Sequence, residues 1–96
     1  MNKAEMLAEI KSGLGEYSNY QDAQLTTYIN IVQNYMIGAG VHPEVANSPA
    51  AVGCILTGVV DTRQFGAGSG KFSELFKTQL VQLAGKKPES TTESGV

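Results

Sequence analysis

The segment from Gln64 to Ser73, QFGAGSGKFS, has the composition of a phosphate-binding loop. A Walker-type loop follows a buried strand and needs Gly, four further residues and then Gly-Lys-Ser/Thr, because the backbone and the lysine hold phosphates and the hydroxyl binds Mg²⁺. Here Phe65 stands in place of the first glycine, Phe72 stands in place of the hydroxyl residue, and a helical pattern precedes the segment. We therefore interpret it as a helix–helix connection, anchored by the two phenylalanines, that binds no nucleotide.

The other reactive side chains stand alone. His42, in GVHPEV, has no second histidine or cysteine at metal-ligand spacing, so a surface loop histidine is favoured. Cys54 lies in the most apolar segment, where a small core residue is expected rather than a nucleophile. Glu5 and Glu9, four residues apart, are typical of a solvated helix face. The sequence predicts no enzyme, with no catalytic residue, no metal ion and no cofactor.

Tyrosines and one arginine are candidates for contacts. The tyrosines could stack on nucleic-acid bases, but basic residues do not alternate with them, which favours the rim of the core or an interface. Arg63 follows the apolar face of the third predicted helix, and two interpretations stay open. Its stem covers the edge of the core, or its head group makes an ion pair or carbonyl contact that fixes the loop or a neighbouring subunit. The tyrosines are Tyr17, Tyr20, Tyr28 and Tyr35.

Length and composition predict one small domain. The 96 residues are 42% hydrophobic, carry a formal charge of −2 and include a single cysteine, which excludes an intramolecular disulfide. The mildly acidic balance disfavours binding to nucleic acid or anionic membrane by charge. The most apolar window, Ala50–Val60, is shorter than the roughly 20 residues that span a bilayer. The N-terminal segment MNKAEMLAEI lacks the pattern of a signal peptide. We therefore expect no membrane association.

Apolar residues recur at helical spacing in four segments, and no segment alternates convincingly as a strand does. The first predicted helix ends at Gly13 and Gly15. The second begins with Asn19 as its N-cap and is stopped by Gly38 and Gly40.

The third predicted helix begins with Ser48 as N-cap and Pro49 in the first turn, and it ends in the polar stretch Asp61–Gln64. It is apolar or small nearly all round, which is typical of a helix at the centre of a bundle. The fourth runs from about Phe72 to Ala84 and has an apolar stripe on one face. The stripe consists of Phe72, Leu75, Phe76, Leu80 and Leu83.

The predicted fold is all-α: a small four-helix bundle with a buried third helix and a Gly-rich loop before the last helix. Residues 1–85 form this domain. Residues 86–96 hold one apolar residue in eleven, and we predict a disordered, flexible polar tail because so little apolar surface cannot offset the entropy of ordering.

The order of these parts resembles the small head–tail connector proteins of tailed bacteriophages, also called adaptor or head-completion proteins. The similarity covers roughly residues 1–85 and rests on SPAAVGCILTGVVDTRQF, a glycine-containing loop and FSELFKTQLVQLA. In that family a Pro-led apolar helix ends in a polar stretch with an arginine, and a leucine-rich last helix begins near a serine. Pro49, Arg63 and Ser73 occupy those positions here.

The resemblance implies a structural virion protein that is assembled in the host cytoplasm as a homo-oligomeric ring. The ring would dock on the portal of a filled head, receive the tail or a second connector, and leave a channel for DNA. A mildly acidic subunit suits that channel because it offers few cations to the phosphates of passing DNA, which is not bound specifically. Candidate contacts with neighbouring subunits or partners are Arg63, Gln64, Gly66, Gly68, Gly70 and Lys71.

Two other classes of function stay open. A small helix–turn–helix DNA-binding regulator would use the second and third helices, but a recognition helix should carry several Lys, Arg, Asn or Gln, and Ala50–Val60 has none. A nucleotide-dependent enzyme would be built on the glycine-containing segment, against the mismatches at Phe65 and Phe72.

Overall fold

A computed structural model describes residues 1–87, and these residues form five α-helices and one 3₁₀ turn, without a strand. The all-α prediction is confirmed for this part of the chain. The four-helix bundle is not confirmed in its particulars, because a short additional helix and the 3₁₀ turn separate the second and third predicted segments. The predicted flexible tail lies outside the described residues from residue 88 onwards. The helices are α1 (Lys3–Leu14), α2 (Asp22–Gly38), α3 (Pro43–Ala46), α4 (Val52–Phe65) and α5 (Glu74–Ala84), with the 3₁₀ turn at Pro49–Ala51.

Helix α1 is capped at both ends by its own sequence. The side chain of Asn2 accepts a hydrogen bond from the Glu5 N–H at 2.8 Å, and the Asn2 N–H donates to Glu5 Oε1 at 2.9 Å. This reciprocal capping box satisfies N–H groups that the first turn leaves free. Glu5 therefore caps the helix and is not only part of a solvated face. Gly15 ends the helix with φ 71° in the left-handed region, as glycine does at many helix C-termini.

Helix α2 does not begin as the sequence suggested. Its N-cap is Gln21, whose side chain makes no capping hydrogen bond, so the prediction of Asn19 as N-cap is wrong. The Asn19 side chain instead accepts a hydrogen bond from Lys11 Nζ at 2.9 Å. A cation on α1 thus takes the oxygen that capping would have needed.

The start of the third predicted helix is also corrected. Ser48 and Pro49 begin the 3₁₀ turn, and regular α-helix follows only from Val52. The Ser48 hydroxyl donates to the Val45 carbonyl at 2.7 Å and makes no cap, because it closes the end of α3 instead.

Helix α4 lies between α1, α2 and α5 and contacts all three. Ile55 and Val59 are completely buried, whereas Gly53 and Val60 lie on an exposed strip, so the helix is not buried all round. Gly58 permits the close packing of α2 and α5 on α4. A Cβ atom at this position would lie 2.6 Å from Val32 Cγ1 and 2.8 Å from Phe76 Cε1.

Helix α5 packs on α4 through a narrower stripe than the sequence predicted. Phe76, Leu80 and Leu83 are buried, but Leu75 is 60% exposed, so its assignment to the stripe is wrong. At 3.6 residues per turn Leu75 is rotated by about 100° from Phe76. That rotation carries the side chain away from α4, which is the helix that α5 mainly contacts.

Candidate functional site

Arg63, near the end of α4, is fastened to the loop that joins α1 and α2. Its Nη1 atom donates to Glu16 Oε1 at 2.6 Å, and its Nη2 atom donates to Gln21 Oε1 at 3.1 Å. Of the two interpretations of Arg63, the structure shows the ion pair, and its partner belongs to the same subunit. The arginine therefore holds both ends of residues 16–21, which we call the tyrosine loop.

The ion pair is only partly shielded from water. The hydrogen bond from Arg63 lowers the pKa of Glu16, and the same bond raises the pKa of the Arg63 guanidinium. The two side chains are 30% and 28% exposed, so solvent screens their attraction. We therefore assign the pair a role in fixing the loop rather than a large share of the folding free energy.

Lys11 makes a second fastening between α1 and α2. Its Nζ lies 2.8 Å from Asp22 Oδ1 in the first turn of α2, and it also donates to Asn19 Oδ1. A carboxylate in the first turn is favourable because the helix N-terminus carries partial positive charge. Lys11 on α1 and Arg63 on α4 thus both bind residues of the tyrosine loop, and Lys11 also pairs with the first residue of α2.

The tyrosine loop presents two aromatic rings to solvent. Tyr17 and Tyr20 are 82% and 84% exposed, so they do not lie at the rim of the core as one interpretation had it. Tyr28 does pack against the core. Tyr35 is 41% exposed, and the centroid of its ring lies 4.6 Å from the centroid of the Phe72 ring.

Asp61 makes side-chain hydrogen bonds that were not predicted from the sequence. Its side chain accepts hydrogen bonds from the Ser73 N–H at 2.9 Å and the Ser73 hydroxyl at 2.8 Å, and the residue is 5% exposed. Ser73 in turn caps α5 by accepting from the Phe76 N–H at 3.2 Å. One sequence signal existed: Asp61 shares helical spacing with Cys54 and Gly58, both buried.

The segment from Gly66 to Lys71, which we call the glycine loop, crosses between α4 and α5 in contact with solvent. Gly66 and Gly70 have φ values of 98° and 67°, in the region that residues with a Cβ rarely adopt. Ser69 closes a turn inside the loop, because its hydroxyl donates to the Gly66 carbonyl at 2.8 Å and accepts from the Lys71 N–H at 3.2 Å. The loop thus has a defined path.

The two predicted phenylalanine anchors behave differently. Phe72 stacks on Phe76, with ring centroids 4.4 Å apart, and also contacts Tyr35, so its role as an anchor is confirmed. Phe65 is 42% exposed, and the prediction that it anchors the loop is wrong. It is the last residue of α4, and the glycine, alanine and serine residues that follow offer no large apolar side chain to cover it.

A groove of about 320 Å³ separates the glycine loop from α2, and we call it the loop groove. The aromatic residues Tyr35 and Phe72 line it together with Lys71. Of the six candidate contact residues, Gly66, Gly70 and Lys71 line the groove. Gln64 and Gly68 are exposed nearby in the chain, whereas Arg63 is engaged with the tyrosine loop. The full lining comprises Ile31, Asn34, Tyr35, Thr62, Gly66, Ala67, Gly70, Lys71 and Phe72.

The remaining reactive side chains have structural positions. His42 caps α3, its Nδ1 accepting from the Glu44 N–H at 3.1 Å, and it lies on the surface as expected. Cys54 is 3% exposed, and burial raises the pKa of its thiol to about 11. Within residues 1–87 no three His, Cys, Asp or Glu side chains are grouped so that they could hold a metal ion. No helix in that range has the length and apolarity needed to cross a membrane.

The geometry therefore brings together a fixed tyrosine loop, a glycine loop and an aromatic-lined groove on a helical core. Comparisons with protein-family models, curated proteins and solved structures gave no match for this sequence.

Proposed function

We propose that this chain is a structural virion protein, one subunit of a homo-oligomeric ring that connects the portal of a phage head to the tail or to a second connector. The observation that carries the proposal is the pair of solvent-exposed loops, the tyrosine loop and the glycine loop, each fixed by contacts with the helices. A protein that acts by contact needs such surfaces, because a loop that is already ordered loses less entropy on binding.

Fastening is most specific at the C-terminal end of the glycine loop. Ser73 is bound to buried Asp61, and Phe72 is stacked on Phe76. Between these points and Phe65 the residues are small or polar and exposed. Small loop residues allow a partner surface to approach the backbone closely. We assign the glycine loop, with Gln64, as the surface that meets the portal or a neighbouring subunit.

The charge distribution agrees with a DNA channel that does not bind DNA specifically. The chain is mildly acidic, and two of its cations, Lys11 and Arg63, are engaged with carboxylates in the structure. Neutralised cations contribute little to phosphate binding, which depends on release of counterions by free Lys and Arg. DNA can then pass without being retained.

The alternative function, a small helix–turn–helix DNA-binding regulator, has less support from the geometry. The exposed residues of α4 include Gly53, Val60, Arg63 and Gln64. Because Arg63 is paired with Glu16, Gln64 is the one of these four that remains able to read base edges. Steeply salt-dependent binding of the purified chain to duplex DNA would support this alternative and contradict the connector.

The proposal is tested with DNA-filled heads from the encoding phage, prepared with this gene inactivated. Wild-type protein should sediment with the heads and add a ring to the portal vertex in negative-stain images. The variant Lys71→Glu should bind less, because it reverses the charge of the glycine loop. Lys86→Glu, an equal charge reversal after the end of α5, should bind as wild type does. Heads that recover none of the wild-type protein would contradict the proposal.

A further inference from the structure

We infer that α5 detaches from α4 as a unit, with the glycine loop as its hinge, while α1, α2, α3 and α4 stay folded. The open state is a minor population of the free subunit in equilibrium with the docked state. The inference goes beyond the proposed function, because it concerns a conformational equilibrium of a single chain and needs neither a ring nor a phage head.

Most of the buried core lies outside α5. Of the sixteen buried apolar residues in residues 1–87, α5 supplies three, which are Phe76, Leu80 and Leu83. Helices α1, α2 and α4 contact one another, whereas α5 packs mainly on α4. The first four helices therefore keep most of their buried contacts when α5 leaves. Local opening is expected of an element that contributes few of the buried contacts of a fold.

The interface between α4 and α5 contains an unsatisfied polar atom. Gln79 Oε1 is buried and has no hydrogen-bond partner within the described part of the chain. The same side chain lies against α4, because its Nε2 atom is 3.7 Å from the position of a Cβ atom built at Gly53. A buried amide oxygen without a partner is unfavourable, and water can bind this oxygen once α5 detaches. The docked state thus has an unfavourable feature that opening removes.

The contact between Asp61 and Ser73 holds α5 in the docked position. Ser73 donates its N–H and its hydroxyl to Asp61 Oδ2, and its hydroxyl oxygen accepts from the Phe76 N–H. One serine therefore both fastens α5 to α4 and caps it. When α5 detaches, water replaces the donors on Asp61, so the net loss is smaller than the loss of the bonds themselves.

The glycine loop is suited to act as the hinge. It is exposed along its length, and the side-chain hydrogen bonds of Ser69 lie within the loop. Gly66 and Gly70 have positive φ values, and glycine reaches other backbone conformations without the steric penalty of a Cβ atom. Backbone rotations at these two residues can therefore swing α5 away from α4.

Cys54 provides a probe of the opening, because it lies on the face of α4 that α5 covers. It is one turn before Gly58, where a Cβ atom would lie 2.8 Å from Phe76. It also shares helical spacing with Asp61, which binds Ser73. The residue is 3% exposed, so a thiol reagent reaches it only after an opening. When opening and closing are fast relative to labelling, the labelling rate is proportional to the open population.

Labelling of Cys54 by a disulfide reagent in buffer, with urea unfolding measured alongside, tests the inference with three variants. Ser73→Ala weakens docking and should speed labelling about fivefold. Gln79→Leu removes the unsatisfied amide from the interface and should slow labelling about fivefold. The matched control, Ile10→Val, truncates a completely buried side chain on α1. It should lower the free energy of unfolding and leave the labelling rate unchanged, because α1 stays folded in the open state.

The inference is overturned if Ile10→Val speeds labelling in proportion to its loss of folding stability, since Cys54 would then be reached only by global unfolding. Unchanged labelling of both Ser73→Ala and Gln79→Leu would also overturn it.

Amide hydrogen exchange followed by NMR identifies the element that opens. An isolated helix of 11 residues is marginal in water, so the amides of α5 exchange once it detaches. They should report the same opening constant as the Cys54 thiol, whereas the central amides of α2 should require a rarer opening. Equal opening constants for α5 and α2 would reject the detachment of α5.

Discussion

Asp61 and Ser73 join α4 to the start of α5 through two hydrogen bonds, 2.9 Å from the Ser73 N–H and 2.8 Å from its hydroxyl, both to Asp61 Oδ2. The residues are separated by the whole glycine loop. Since Asp61 is buried, the bonds fix where the loop returns to the core, while the loop itself remains in contact with solvent. The buried carboxylate of Asp61 thus fixes the position at which the exposed glycine loop joins α5.

Removing either partner should destabilise the fold. We expect Asp61→Ala to lower the free energy of unfolding by about 2 kcal/mol, because the Ser73 donors lose a charged acceptor. Ser73→Ala should lower it by about 1 kcal/mol through the lost helix cap. The double variant should be less destabilised than the sum, because both changes delete the hydrogen bond between the Ser73 hydroxyl and Asp61. Urea unfolding followed by circular dichroism measures all three, and strict additivity would contradict the coupling.

The Glu16–Arg63 pair predicts a pH dependence of stability. Because the hydrogen bond from Arg63 lowers the pKa of Glu16 below its ordinary value of 4.5, the folded state favours the ionised carboxylate. The stabilisation is fully present above pH 4.5 and is lost as the pH falls through the lower, folded-state pKa. The difference in stability between wild type and Glu16→Gln should therefore be constant near neutrality and shrink in acid.

Glu9→Gln provides the control for this titration, because Glu9 lies on the exposed face of α1 and has no ion pair within residues 1–87. Urea midpoints measured from pH 7 to pH 3 should separate the two variants. A Glu16→Gln curve that stays parallel to wild type through the acid range would reject the role of the pair.

Two glycines of α4 should respond oppositely to the same substitution. Gly58→Ala places a methyl group within 2.9 Å of Val32 and Phe76, and overpacking of this kind typically costs about 1–3 kcal/mol. At Gly53 the nearest atom, Gln79 Nε2, lies at an ordinary 3.7 Å. Gly53→Ala should therefore be neutral or stabilising by up to about 1 kcal/mol, since alanine favours helix. Thermal melts of both variants provide the comparison, and equal melting temperatures would argue against the packing described for Gly58.

Cys54 should react with thiol reagents only when the fold opens. Burial and a pKa raised to about 11 leave little thiolate at neutral pH and little access to it. We expect labelling by a disulfide reagent at pH 8 to be at least roughly a hundredfold slower in buffer than in concentrated urea, because the thiolate is the reacting species. The variant Cys54→Ala/Val81→Cys, with its thiol on the surface, should react at once in both. Rapid labelling of native wild type would show that α4 is more accessible than the structure indicates.

The sequence by itself determined the helical class and the four long helices, because apolar residues at helical spacing and glycines at the helix ends are local features. It also excluded a Walker loop, since Phe65 and Phe72 occupy required positions. Only the tertiary structure decided the roles of Asp61 and Arg63. Their partners, Ser73 and Glu16, lie 12 and 47 residues away along the chain.

Predictions from local spacing also failed at several positions where contacts between helices decided the outcome. Asn19 has the right residue type for an N-cap, but Lys11 on α1 takes its oxygen. Leu75 has the helical spacing of the apolar stripe, but the rotation of α5 against α4 leaves its side chain exposed to solvent. The sequence records which faces are apolar, whereas the packing of helices decides which parts of those faces are covered. Tyr17 and Tyr20 owe their exposure to that packing, because the polar contacts that hold their loop come from α1 and α4.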